Sequence, residues 1–253
     1  MPSCNIKMNI LITNDDGWGS KGLMLLARVA SGIGHVTVLA PDGARSGMSN
    51  AVTSTQPMTL RKIEAHELPG ADVYVTSGTP SDCIKLAIDV LFGEDPQKID
   101  LVLSGINHGS NAAINVIYSG TMGACFIAAE NNIPAIGFSI DDHNLNADLE
   151  PMHPYIAQLI RHLIDEGIPP GLCYNINAPK GEIKGVKWCR QCRSHWVKEM
   201  APVTLENGET AYHLTGYMVN DEPEAEDTDQ YAIEHGYISV QPCTVDMTAY
   251  AAL

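Results

Sequence analysis

The chain has no apolar run approaching the ~20 residues that span a bilayer, which excludes an ordinary membrane-spanning helix. Basic residues are scarce as well. Fifteen Lys and Arg face 30 Asp and Glu, for a formal net charge of -15, and no basic patch is visible. Duplex nucleic acid is therefore not an expected partner. A small phosphate ester is still compatible with this charge, because a bound metal and backbone N–H groups reverse the local field. The seven cysteines are odd in number and irregular in spacing, so they make no disulfide framework. The opening MPSCNIKMNILI lacks a signal peptide's small-residue cleavage site, and the chain reads as cytoplasmic. No internal repeat is present. Part of the acidic excess lies between Asp221 and Asp229, a run that reads as a solvated loop.

What is present is ordinary globular material. The chain has 253 residues, 45% hydrophobic and 18% charged, enough for one large domain or a core with an appendage. Strand-like and helix-like segments alternate. The apolar run Met8, Ile10, Leu11, Ile12 reads as a buried strand, and Leu23, Leu26, Ala27 and Ala30 make one helix face, stopped by Gly32 and Gly34. Strands are expected at Val36–Ala40, Asp72–Thr76, Ile99–Leu103, Ile133–Ile140 and Leu172–Ile176, with a polar loop or irregular strand from Ser46 to Thr59. Thr79-Pro80-Ser81-Asp82 starts a helix, with Thr79 as N-cap and an acid three residues on. Further helices are expected from Ser119 or Gly120 to Asn132 and from Tyr155 to Glu166. This rhythm is that of an α/β protein with a mostly parallel, doubly wound sheet. Helical periodicity stops after Pro179, which divides the chain into a core of residues 1–180 and a β-rich C-terminal extension of residues 181–253, a candidate oligomerisation arm.

The most informative feature is Asn14-Asp15-Asp16-Gly17 at the end of the first strand. Adjacent carboxylates there repel each other and call for a counter-charge, most simply a divalent cation with oxygen ligands. A competing pattern overlaps it. Gly17-Trp18-Gly19-Ser20-Lys21-Gly22 satisfies G-x-G-x-x-G between a strand and a helix, with Asp42 at the end of the next strand, as in a nicotinamide-dependent oxidoreductase. Against that reading, Asp15 and Asp16 stand directly before the first glycine, where they would repel a pyrophosphate by about 1 kcal/mol per close pair in water.

Three further clusters follow predicted strands or open a helix: Ala40-Pro41-Asp42 with Arg45-Ser46-Gly47, Ser104 to Asn111, and Tyr118-Ser119-Gly120-Thr121. Amide and carboxylate oxygens suit a cation, while small hydroxyl residues with glycine at a helix N-terminus suit phosphate. The motifs NDDG, APD…RSG, GTPSDC, SGIN-x-G-x-N and YSGT, in this order, resemble the SurE family of metal-dependent 5'/3'-nucleotidases. The resemblance implies a Rossmann-like core and one divalent metal ion per subunit, magnesium or manganese, held by Asp15, Asp16, Ser46 and Asn107. It implies phosphate-side positions at Asn111, Ser119, Gly120 and Thr121, and a C-terminal extension exchanged within a homodimer or homotetramer. The expected substrate is a nucleoside 5'- or 3'-monophosphate.

Departures from the family pattern are Ser20-Lys21 in place of Ala-Pro, His108 at a variable position, and Gln241 in place of threonine. His108 is either a general acid towards the leaving alkoxide or a histidine facing the substrate. Asp15 and Asp16 are the expected catalytic pair, with metal-activated water or an aspartate as the attacking group. A non-catalytic nucleotide sensor is a further alternative. Asp141-Asp142 and Cys189-x-x-Cys192 near His195 read as structural, since neither has a complete set of partners.

Overall fold

The computed structural model describes residues 8–253. Residues 1–7, with Cys4 and the reading that no leader is present, lie outside that range. Seven strands, β1 (Asn9–Thr13), β2 (His35–Pro41), β3 (Leu60–Ile63), β4 (Asp72–Thr76), β5 (Leu101–His108), β6 (Ala135–Ile140) and β7 (Leu172–Ala178), are interleaved with four helices. These are α1 (Lys21–Ser31), α2 (Pro80–Leu86), α3 (Gly120–Glu130) and α4 (His153–Glu166). The remainder supplies β8 (Gly185–Trp188), β9 (Ser194–Val197), β10 (Met200–Thr204), β11 (Thr210–Leu214), β12 (Tyr217–Asn220), α5 (Asp229–Glu234) and β13 (Tyr237–Thr244). Among the described residues no helix is long and apolar enough to cross a membrane.

One sheet organises the molecule, in the order β3-β4-β2-β1-β5-β6-β7-β13-β8. From β4 to β7 every neighbour is parallel. β3 runs antiparallel on one edge and β13 antiparallel beside β7. Strands buried on both faces need cover on both faces, and the sequence of β1 supplies it. Ile10 and Ile12 point to the cluster that holds Leu23 and Leu26 of α1 and Ile156 and Ile160 of α4. Leu11 points the other way, to Ile84 of α2 and Met122 of α3. The chain steps from β1 to β2 and β4 on one side, then crosses to β5 on the other. The gap between the ends of β1 and β5 is thus the topological switch point, where open α/β sheets bind ligands.

Local signals set the helix starts. Ser20 caps α1 by accepting from the Leu23 N–H at 3.3 Å. Thr79 and Asp82 form a reciprocal capping box at α2, the arrangement the sequence predicts.

Three features differ from expectation. β5 does not stop at Leu103; its register slips between Ser104 and Asn107 and pairing resumes to His108. Gly105, which reads as a strand breaker, lies in a bulge that carries the strand on and turns Asn107 and His108 towards the switch point. β3 is an edge strand too short and charged to show periodicity. α5 has only 6 residues, below the length at which an apolar stripe is visible in sequence.

Candidate active site

Asp15 and Asp16 follow β1 directly. Asp15 is 4% exposed, and its Oδ1 accepts a hydrogen bond from the Thr121 hydroxyl at 2.7 Å. Burial pushes its carboxyl up from 3.8 to about 6; the Thr121 bond opposes this and the neighbouring Asp16 charge adds to it. Asp16 lies beside His108, whose Nδ1 is 3.1 Å from Asp16 Oδ2. The other ring nitrogen, Nε2, is buried without a hydrogen-bond partner.

The loop after β2 closes over this pair. The Arg45 N–H donates to the Asp15 carbonyl, and the Arg45 guanidinium binds Asp42 at 2.8 Å and the Ser77 carbonyl at 3.2 Å. Arg45 is therefore a fastener of the site rather than the solvated cation its position in a polar stretch implies. Ser46 is exposed and is the next residue after Arg45, whose N–H is bonded to the Asp15 carbonyl. Asn107 donates from Nδ2 to the Gly109 carbonyl at 2.7 Å, which leaves its Oδ1 available as an acceptor. Asn14, whose role sequence does not indicate, holds the turn by donating to the Gly17 carbonyl at 3.0 Å and Ser20 Oγ at 2.8 Å.

The N-terminus of α3 faces the same place. Gly120 comes so close to Asp15 that an added Cβ would lie 3.0 Å from Asp15 Cβ and 3.2 Å from its Oδ2. Ser119 is the N-cap, accepting from the Met122 N–H at 3.1 Å. The Gly123 N–H goes to the Ser119 carbonyl, so the first N–H groups of the helix are the ones left to meet an anion.

Two expected phosphate-side chains are used otherwise. Thr121 is fully buried and spends its hydroxyl on Asp15, so only its backbone can serve an anion. Asn111 is 6% exposed and donates to Ser139 Oγ at 2.8 Å, while its backbone is bonded to Asn177 and Asn175. It fixes the loop after β5 to the floor of the sheet. These roles arise from contacts 28 to 106 residues apart in sequence, which no local pattern reports.

Among the described residues no three His, Cys, Asp or Glu side chains converge as a metal cluster. The switch point instead combines two carboxylates with neutral amide and hydroxyl oxygens, a hard-donor set that fits magnesium or manganese better than a soft metal. The Cys189–Cys192 pair offers nothing comparable. Cys192 Sγ is 3.1 Å from Asn220 Oδ1, and His195 is paired with Asp221.

The dinucleotide pattern is also accounted for by packing. An added Cβ on Gly22 would run into the Ile106 carbonyl oxygen of β5, so this glycine lets α1 lie against the strand. Asp42, the acid that pattern needs for a ribose, is occupied by Arg45.

The family model described as Survival protein SurE matches residues 10–198. A protein of Christiangramia forsetii named 5'-nucleotidase SurE is 44% identical over 244 residues, covering 95% of this chain and 92% of its own. One of Bacteroides fragilis with the same name is 43% identical over 242 residues, covering 95% and 93%. In the solved structures, the SurE protein from Aquifex aeolicus matches with a TM-score of 0.81 and 31% identity, over 97% of this chain and 96% of that one. Motif order, sheet topology and whole-chain similarity thus agree, and the chain belongs to the SurE family.

Proposed function

We propose that the protein is a metal-dependent nucleotidase, a phosphoric monoester hydrolase that cleaves nucleoside 5'- and 3'-monophosphates to nucleoside and phosphate. The observation that carries this reading is the meeting of Asp15, next to Asp16, with the N-terminus of α3 at the switch point. The names of the relatives support the substrate class. One cation per subunit, magnesium or manganese, would be held by Asp15, Asp16, Asn107 and Ser46. When bound it polarises a phosphoryl oxygen and acidifies water.

The chain's own groups do the rest. The N–H groups of Gly120 and Thr121 bind equatorial phosphoryl oxygens, and the α3 dipole adds to their field. Thr121 holds the Asp15 carboxylate in one orientation. His108 does the same for Asp16, its Nδ1 3.1 Å from Asp16 Oδ2, and stands on the substrate side in this reading. Asn111 and Ser119 keep the two loops in place. Asp15 and Asp16 are the catalytic pair.

Thr121→Val removes the hydroxyl that orients Asp15 and keeps the side-chain shape. Loss of such an outer partner is expected to weaken manganese binding by about 10- to 100-fold, read by isothermal titration calorimetry. Unchanged affinity would remove Thr121 from the site.

In this reading the C-terminal extension, residues 181–253, carries the arm of a homodimer or homotetramer, while its β8 and β13 join the central sheet. β10 and β11 form a two-stranded sheet on their own, with Met200, Tyr212 and Leu214 all more than half exposed. An isolated pair of strands is marginal in water, and a second copy of the chain would cover it. We place the protein in the cytoplasm. The described cysteines are all unpaired, as a reducing compartment requires.

The deciding experiment is a phosphate-release assay across nucleoside monophosphates with EDTA, magnesium or manganese. Release is expected with either metal and none with EDTA. Nucleotide binding with no phosphate released, even after prolonged incubation with manganese, would make the protein a sensor.

A further inference from the structure

Beside the paired acids lies a cleft of ≈ 450 Å³ that the phosphate chemistry does not fill. Asp16, His108, Trp18 and Leu145 all line it. Its volume falls in the range of about 300–1,000 Å³ typical of small-molecule sites. Trp18 belongs to the turn after β1 and Leu145 to the loop after β6. β1 and β6 flank β5 in the sheet, so the two residues rise on either side of the strand end that carries His108.

Both walls are held. The Trp18 N–H donates to the Pro41 carbonyl at 3.1 Å, and its side chain packs partly against the core. The loop of Leu145 is rooted by the buried Ala147 and Leu149. It is also tied across the cleft, because Lys21 Nζ donates to Asn146 Oδ1 at 2.8 Å. This tie uses Lys21, one of the two residues that replace Ala-Pro in the family pattern. A lone exposed leucine is unremarkable. Leu145, 67% exposed at the mouth of a cleft that also holds a tryptophan, has an apolar ligand face to meet.

We infer that this cleft receives the nucleobase of the substrate, which stacks on Trp18 under the edge formed by Leu145, and that it favours purines over pyrimidines. The inference rests on the nucleotidase reading and names the substrate class for it. Asp16, a proposed ligand of the cation that meets the phosphate, lines the cleft, so a base one sugar away from that phosphate can enter it. Stacking on an aromatic face tolerates any base, but the gain grows with ring overlap, and the bicyclic purine covers more of an indole.

The test compares kcat/KM for AMP, CMP and ribose 5-phosphate with manganese, in the natural protein and in Trp18→Ala, Trp18→Phe and Leu145→Ala. Loss of a stacking partner is expected to lower the ratio of AMP to ribose 5-phosphate turnover roughly 5- to 100-fold in Trp18→Ala. Most of that loss should appear in KM. Trp18→Phe should recover most of the ratio. Leu145→Ala, at an exposed position that does not endanger folding, should lower it several-fold. AMP should exceed CMP in the natural protein, and that margin should shrink in Trp18→Ala. A ratio that stays constant in Trp18→Ala and Leu145→Ala, or a parallel fall for all three substrates, would overturn the assignment and leave Trp18 as a support of the loop.

Should the natural protein release no phosphate from any of the three, the nucleotidase reading fails. The cleft is then judged by equilibrium dialysis of labelled adenosine against labelled ribose. Adenosine retained by the natural protein and lost in Trp18→Ala upholds the base site; no retention overturns it.

Discussion

Asp15→Asn is expected to abolish metal-stimulated phosphate release while making the metal-free protein more stable. Both effects have one cause. The Asp15 carboxyl lies at about 6 in the fold against 3.8 when free, so keeping it ionised in its buried position costs about 3 kcal/mol. An acid raised by folding binds its proton more tightly in the native state. The penalty is therefore absent below about pH 4, grows from there to about pH 6, and is complete above that. The metal-free protein should lose stability as pH rises through this window. Asparagine keeps the acceptor for Thr121 and removes the charge, so that slope should flatten. At neutral pH the melting temperature should rise by roughly 5–10 °C for a chain of this size.

Catalysis should move the other way. Without the charge, the cation would lose one of the two anionic ligands proposed for it, and turnover should fall by about 10³-fold, the upper end for loss of one preorganised electrostatic group. Differential scanning fluorimetry with and without manganese, beside a phosphate assay on AMP, reads both. A mutant with near-normal turnover, or one that manganese still stabilises as it does the natural protein, would refute the assignment of Asp15.

Gly22→Ala, in the first turn of α1, is expected to be strongly destabilising. Alanine ordinarily improves a helix by about 1 kcal/mol over glycine, so α1 alone would favour it. The added Cβ, however, meets the carbonyl oxygen of Ile106. Backbone cannot rotate away as a side chain can, so helix and strand must separate. Overpacking of this kind costs about 1–3 kcal/mol and at times more, which outweighs the helical gain. The strand that is pushed carries Asn107, so manganese affinity should fall along with the melting temperature.

Gly19→Ala is the internal control. It changes a glycine of the same G-x-G-x-x-G pattern, but beyond its chain neighbours no atom lies within 4 Å of its added Cβ. It should melt within about 0.5 kcal/mol of the natural protein. If the two variants melt alike, α1 is not fitted to β5 in the way described.

The parts of this architecture that sequence announces are those set by local chemistry. Alternate faces of β1, the stripe of α1 and the box formed by Thr79 and Asp82 each depend on residues within a turn or two of one another. Asp15, Asp16 and Asn107 are legible for the same reason, as polar residues abruptly ending apolar runs. What sequence hides is partnership. Thr121 looks like a phosphate ligand because it stands at a helix start, yet its hydroxyl is claimed by a carboxylate 106 positions away. Arg45 looks solvated until Asp42 and Ser77 are seen around it. Trp18 reads as the variable residue of a glycine pattern, and only the loop after β6 shows that it borders a cleft. Gly105 misleads in the opposite sense. Glycine in a strand usually marks its end, whereas here it permits the extra residue that redirects Asn107.

The position of β13 has a consequence for how the protein is made. β7 has β6 on one side and β13 on the other, and Asn175 beneath the active loop donates to Gln241 of β13 at 3.1 Å. Everything up to β7 can emerge from the ribosome and still present one raw edge of unpaired amides and carbonyls, together with an amide side chain lacking its acceptor. Some sixty residues must follow before the strand that seals that edge is synthesised. Through that interval the nascent chain depends on rapid completion, or on chaperones, to keep another strand from taking the place reserved for its own C-terminal segment.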